Sequence, residues 1–83
     1  MALTCSLSAQ ESVLKEAETA YSGEDYDRAA ELYENILKTY GDSYTVYYNL
    51  GNACYKAGRI ASAILNYERA LLMNPGDKDL RHN

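Results

Sequence analysis

The chain has 83 residues and a mass of 9.3 kDa, room for one small domain that buries roughly 60% of the surface its unfolded form exposes. Apolar residues make up 47% of it and there is one Pro, which excludes a disordered chain and leaves long uninterrupted stretches for helices. A net charge of -4 and a pI near 4.8, with no cluster of Lys and Arg, argue against a nucleic-acid partner, and no apolar run approaches the roughly 20 residues that span a bilayer.

Residues 1–8 form an uncharged, moderately apolar leader that resembles the last part of a secretory signal but lacks its basic start, and two readings stand open: a signal remnant or a frayed terminus. Ser8 and Glu11 have the spacing of a capping box, which predicts a first helix from about Ala9 to Ser22. Gly23-Glu-Asp25 supplies a turn with Asp25 as N-cap. Tyr26, Ala29, Ala30, Tyr33, Ile36, Leu37 and Tyr40 then recur at three- and four-residue intervals, predicting a second helix that ends at Gly41. Asp42 or Ser43 caps a third helix running to about Ala57, where Gly58 permits the left-handed residue that closes it. A fourth runs from about Ile60 to Met73. Asn74-Pro-Gly-Asp77 makes a further turn, and Asp77 is the expected cap of a fifth helix begun by residues 78–83.

Sliding the chain by 34 residues superposes Tyr21 on Tyr55, Ala29 on Ala63, Tyr33 on Tyr67 and Leu37 on Leu71. Val13 falls on Tyr47, Ala17 on Gly51, Ala20 on Cys54 and Tyr26 on Ile60, and the breaker Gly41 falls on Pro75. The chain is therefore a duplicated unit of two helices, residues 9–43 and 44–77. Gly51, Ala63 and Ala70 are expected to be small because helix backbones approach there, with Tyr47 and Tyr67 filling the space between. Charge is uneven: Gln10 to Ser43 holds nine acids and three bases, whereas Tyr44 to Asp77 holds two acids and three bases.

Nothing in the pattern points to catalysis. The only His is His82, with no evident Ser, Cys or Asp partner, and carboxylates two apart on a helix, such as Glu16 and Glu18, point to different faces. Cys5 and Cys54 have neither the spacing of a disulfide framework nor that of a zinc site and read as free thiols. No cofactor or metal is expected.

With Tyr47, Leu50-Gly51, Ala63, Tyr67, Ala70 and Pro75, the second unit resembles the tetratricopeptide repeat. It departs from that pattern at Cys54, where the family usually has Tyr. The first unit has Glu16-Ala17 in place of Leu-Gly and Gly41 in place of Pro, but keeps Tyr26, Ala29 and Tyr33. The resemblance implies an all-α fold, antiparallel helical hairpins stacked as a short right-handed solenoid. More narrowly, Tyr47-Tyr-Asn-Leu-Gly-Asn52 and Ala63 to Leu71 are similar to repeats in bacterial aerotolerance-operon proteins of the Bat type, which implies a membrane-associated, envelope-facing parent.

In tetratricopeptide arrays the first helix of each hairpin lines a concave groove, so the resemblance assigns a protein or peptide partner to Leu14, Glu18, Tyr21, Tyr48, Asn49, Asn52 and Tyr55, flanked by Glu11, Lys15, Ser22, Thr45 and Lys56. Asn49 and Asn52 offer a donor and an acceptor each, and the tyrosines offer stiff contact area. Chaperone-binding relatives hold a terminal carboxylate with basic residues in this groove. Leu14 and Glu18 stand where such a clamp has Lys and Asn, so that recognition should be absent. On the fourth helix Ala61, Leu65, Glu68 and Leu72 share a face, and Leu65 and Leu72 are the expected self-association residues, since two hairpins are fewer than the roughly three needed for a stable stack. The expected function is an interaction module or scaffold; the alternative is a structural, oligomerising repeat whose groove takes no specific ligand.

Overall fold

The computed structural model describes residues 2–76, which form four α-helices and no strand: α1 Ala2–Ser22, α2 Tyr26–Tyr40, α3 Tyr44–Lys56 and α4 Ile60–Met73. Each helix packs on the next in chain order, so α2 lies between α1 and α3. Ala17 on α1, Ala29, Ala30, Leu32, Tyr33 and Ile36 on α2, Val46, Leu50, Ala53 and Cys54 on α3 and Ala63 on α4 make one buried cluster. Small residues dominate it, which lets the helices approach closely and leaves a few larger side chains to fill the seams.

The first helix begins earlier than its sequence predicts. It runs through Ser8, so the expected capping box with Glu11 does not form there. Residues 2–8 contain neither Gly nor Pro, and adding turns to an existing helix costs far less than starting one. The other boundaries follow local stop and start signals. Asp25 accepts a hydrogen bond from the Arg28 amide, Ser43 does the same for Val46, and the Gly41 amide closes α2 on the Leu37 carbonyl. The expected fifth helix from Asp77 lies outside the described residues, as does His82.

The duplication is visible in the backbone. In the first turn the amides of Gly23, Glu24 and Asp25 donate to the carbonyls of Thr19, Tyr21 and Ala20; in the second, Ala57, Gly58 and Arg59 donate to Ala53, Tyr55 and Cys54. Every donor and acceptor is displaced by the same 34 positions. The left-handed residue is Gly58, with φ 85°, in the second turn, and in the first it is Glu24, with φ 64°, not the adjacent glycine. A side chain in this conformation is strained, so Glu24→Gly is expected to stabilise the fold by about 0.5–1 kcal/mol, the relief being partly offset by the freer unfolded chain. Thermal unfolding checks it; an unchanged or lower midpoint contradicts the strain.

A second exchange between repeats concerns Asn66, which is buried in the slot that Leu32 fills in the first unit. Its Nδ2 donates to the Ser62 carbonyl at 2.9 Å, while Oδ1 has no partner among the described residues. Leaving a buried acceptor unpaired costs about 1–3 kcal/mol. Asn66→Leu is therefore expected to raise stability by about 1–2 kcal/mol in denaturant unfolding, and a loss would mean that Oδ1 is satisfied in solution.

Two packing expectations need correction. A Cβ on Gly51 would meet the ring of Tyr67, not a helix backbone. Tyr47 does not fill the core: its hydroxyl donates to Asp42 at 2.8 Å and its ring lies 5.8 Å beneath the Arg69 guanidinium, at the half-exposed edge of α3. A phenol needs a polar partner, and here the partners are on the surface.

Candidate functional site

The ends of α1 and the middle of α3 converge over α2. Glu18, Tyr21 and Ser22 from α1, Tyr33 from α2, and Asn49 and Asn52 from α3 line an open depression of about 270 Å³. Four of the seven groove residues expected from sequence are thereby brought together. Spacing explains it: Glu18, Tyr21 and Ser22 lie one helical turn apart, as do Asn49 and Asn52, so each helix turns one narrow stripe toward the same hollow.

The remaining three are placed differently. Leu14 packs against the buried cluster and contributes structure more than contact area. Tyr48 stands in an aromatic row, edge-on to Tyr44 at 6.1 Å and to Tyr67 at 6.0 Å between ring centres. Tyr55 is exposed and lines a separate hollow with Ile60, Ala63, Ile64 and Tyr67. Among the two self-association candidates, Leu72 is 81% exposed and Leu65 46% exposed. Leu65 borders a shallow polar hollow with Asn66, Arg69, Leu50 and Leu37.

Within the depression the polar groups differ in how far they are committed. Asn52 Oδ1 accepts the Tyr67 hydroxyl, which fixes the amide and leaves Nδ2 as its contribution to a guest. Asn49 makes no side-chain hydrogen bond among the described residues, so both its donor and its acceptor are available. Tyr21 is steadied edge-on against Tyr26 at 5.2 Å. Glu18 is the one charged residue in the lining. Burial pushes the Tyr33 phenol up, and the negative charge of Glu18 adds to the shift, so Tyr33 stays a neutral donor at any physiological pH. Sequence reading placed Tyr33 in the periodic series of the second helix and not among the groove residues, and its ring is buried; the available signal was its length, since a phenol on a packed ring reaches past the aliphatic layer to the surface of the hollow.

Neither metal nor thiol chemistry has an evident seat. No group of three or more His, Cys, Asp or Glu converges among the described residues. Cys54 is fully buried and unpaired, and desolvation, with a smaller contribution from Glu34, pushes its thiol up, the direction that suppresses the reactive thiolate. No helix among the described residues is long and apolar enough to cross a membrane.

The model of the tetratricopeptide repeat family matches residues 14–78, more than half of the chain and both hairpins. The chain belongs to the tetratricopeptide repeat family. No curated protein matches it. Tetratricopeptide repeats generally mediate interactions between proteins. The match takes in the divergent first unit, whose Glu16-Ala17 and Gly41 depart from the repeat's usual residues.

Proposed function

We propose that this tetratricopeptide chain is an interaction module that takes an extended peptide segment of a partner protein across the hollow between α1 and α3. The observation that carries it is the set of uncommitted groups there: the Asn49 amide, Asn52 Nδ2 and the Tyr33 hydroxyl, with one carboxylate, Glu18, among them. An amide pairs with both the N–H and the C=O of an extended backbone, so the asparagines read main chain and impose little sequence preference. Selectivity comes from Glu18. It favours a segment with a Lys or Arg at that point and repels a terminal carboxylate, and no basic residue in the lining offsets it. The module has no catalytic role in this reading. The narrower likeness to aerotolerance-operon proteins, with a membrane-associated parent, rests on the two sequence runs alone.

The test compares capture of partners from the native host by the wild-type chain and by Glu18→Ala with Asn49→Ala. These two side chains make no hydrogen bond within the described residues, so their loss leaves the fold intact, whereas Tyr48 and Asn52 are tied into the aromatic row and the Tyr67 contact. A partner retained by wild type and lost from the double variant is the expected result. Equal capture by both would remove the groove from the function. A single-residue Lys or Arg to Glu change in the bound segment should weaken it further, by roughly tenfold for a loss of about 1.4 kcal/mol.

A further inference from the structure

All nine aromatic residues of the chain are tyrosines, so every ring brings a hydroxyl with it. The hollow between α1 and α3 is lined by two of them, Tyr21 and Tyr33, and by no aliphatic side chain. It offers flat ring surface and hydrogen-bonding groups, and no seat for a branched apolar anchor.

The two repeats differ in where the phenol protons go. Glu18 and Asn52 occupy the same slot thirty-four positions apart, as do Tyr33 and Tyr67. In the second unit the Tyr67 hydroxyl donates to Asn52 Oδ1, which withdraws that acceptor from the hollow and leaves Nδ2 as a donor. In the first unit the Tyr33 hydroxyl makes no hydrogen bond to Glu18 or to any other group among the described residues, so its proton is free for a guest. Burial, with a smaller push from Glu18, keeps that phenol protonated. Both differences bias the lining toward donors. Once Glu18 is engaged by a cation of the guest, Asn49 Oδ1 is the one amide or carboxylate oxygen left to accept, against donors on Asn49, Asn52 and Tyr33.

A strand-like segment presents N–H and C=O groups in equal number, and in such a lining its N–H groups run short of partners, which is penalised. Proline presents a carbonyl and no N–H. A proline-rich segment is also already ordered as a polyproline II helix, so it loses little chain entropy on docking, and its rings pack on aromatic side chains. The receiving surface is stiff in the same sense. Tyr21 is held edge-on by Tyr26 with 5.2 Å between ring centres, and the Tyr33 ring is buried.

We propose that the guest of this hollow is a proline-rich segment in the polyproline II conformation that carries a Lys or Arg to meet Glu18, with the Asn49 amide, Asn52 Nδ2 and the Tyr33 hydroxyl donating to its carbonyls. Resting on the peptide-binding reading of the groove, this specificity is set by main-chain carbonyls, in keeping with asparagines that read no side chain.

Fluorescence anisotropy of the full chain with two labelled, amide-ended peptides tests it. The probes are an oligoproline with one central arginine, and a peptide of equal length in which Val and Thr alternate around that arginine, a composition that favours a strand. The oligoproline should bind at least about tenfold more tightly and lose its binding to the Glu18→Ala, Asn49→Ala double variant. Tyr33→Phe keeps the ring and gives up no hydrogen bond within the described residues; it should weaken the oligoproline by roughly threefold to tenfold and leave the strand-forming peptide unaffected. Equal or tighter binding of the strand-forming peptide, lost from the double variant, overturns the proline preference and leaves the groove a peptide site. Oligoproline binding that survives in the double variant places the contact elsewhere and overturns the assignment as well. Binding of neither peptide also overturns it, and the capture of host partners by wild type and not by the double variant then decides separately whether the groove binds peptides at all.

Discussion

Replacing Ile36 by Ala is expected to lower the unfolding free energy by about 2–5 kcal/mol. Ile36 is 1% exposed and, with Cys54, is the largest fully buried side chain of the protein. It sits on α2, the helix that packs on both α1 and α3, so the void left by truncation is bounded on two sides by helices held in place by other contacts. Such a site relaxes poorly, and the cost then includes the cavity as well as the lost transfer of methylene groups from water. Small domains have about 5–15 kcal/mol in hand, so this substitution removes a large share of the total. Denaturant unfolding followed by far-ultraviolet circular dichroism measures it, with the midpoint falling and the slope unchanged if the native state keeps its compactness. Leu72→Ala is the control: at 81% exposure its truncation should alter stability by less than about 0.5 kcal/mol. A loss at Ile36 no larger than at Leu72 would mean that α2 is not the centre of the core.

Reading the elements from sequence succeeds where the signal is local and fails where it depends on a neighbour. The second and fourth helices run from Tyr26 to Tyr40 and from Ile60 to Met73 because breakers or caps bracket each of them, and Ser43 caps α3 with its own hydroxyl. The start of α1 was not legible, since Ser8 and Glu11 have the form of a cap but nothing before them stops the helix. Position 24 shows the same limit on a smaller scale. The sequence marks Gly23-Glu-Asp25 only as a turn, and the hydrogen-bond register set by Thr19, Ala20 and Tyr21 puts the left-handed conformation on Glu24. Tyr47 has the type of a core filler and is drawn to the surface by Asp42 and Arg69.

The candidate site divides along the same line. Glu18, Tyr21, Asn49 and Asn52 could be assigned to one hollow because the tetratricopeptide resemblance implies that the first helix of each hairpin lines a groove, and the 34-residue register identifies those helices. Periodicity cannot tell a buried face from an exposed one: Ala30 on α2 is buried, whereas Ile64, which occupies the same slot thirty-four positions on, is exposed. Nor can it tell whether an asparagine is already spoken for. Asn49 and Asn52 look alike in sequence, and the Tyr67 hydroxyl distinguishes them.

That hydroxyl also makes Gly51→Ala costly. A methyl at Gly51 would lie 2.6 Å from Cδ1 and Cε1 of the Tyr67 ring and 3.2 Å from Cγ, too close for any side chain to remain where it is. The first repeat has Ala17 in this slot and Tyr33 opposite, so the fold as such tolerates the methyl. The difference is in how the rings are held. Tyr67 donates to Asn52 and stands edge-on to Tyr48, whereas the position matching Asn52 is Glu18, and no hydrogen bond from Tyr33 to it occurs. Tyr33 therefore had freedom to settle beside an alanine that Tyr67 lacks. We expect Gly51→Ala to cost about 1–3 kcal/mol, the range of overpacking in a filled core. Most of that cost should vanish when Tyr67 is replaced by Leu, because the two residues are coupled through direct contact. Thermal or denaturant unfolding of the four chains closes the cycle, and an identical penalty in both backgrounds would place the strain elsewhere. A displaced Tyr67 also releases the Asn52 amide, so a buried methyl on the far side of α3 should weaken peptide capture in the groove without touching the peptide.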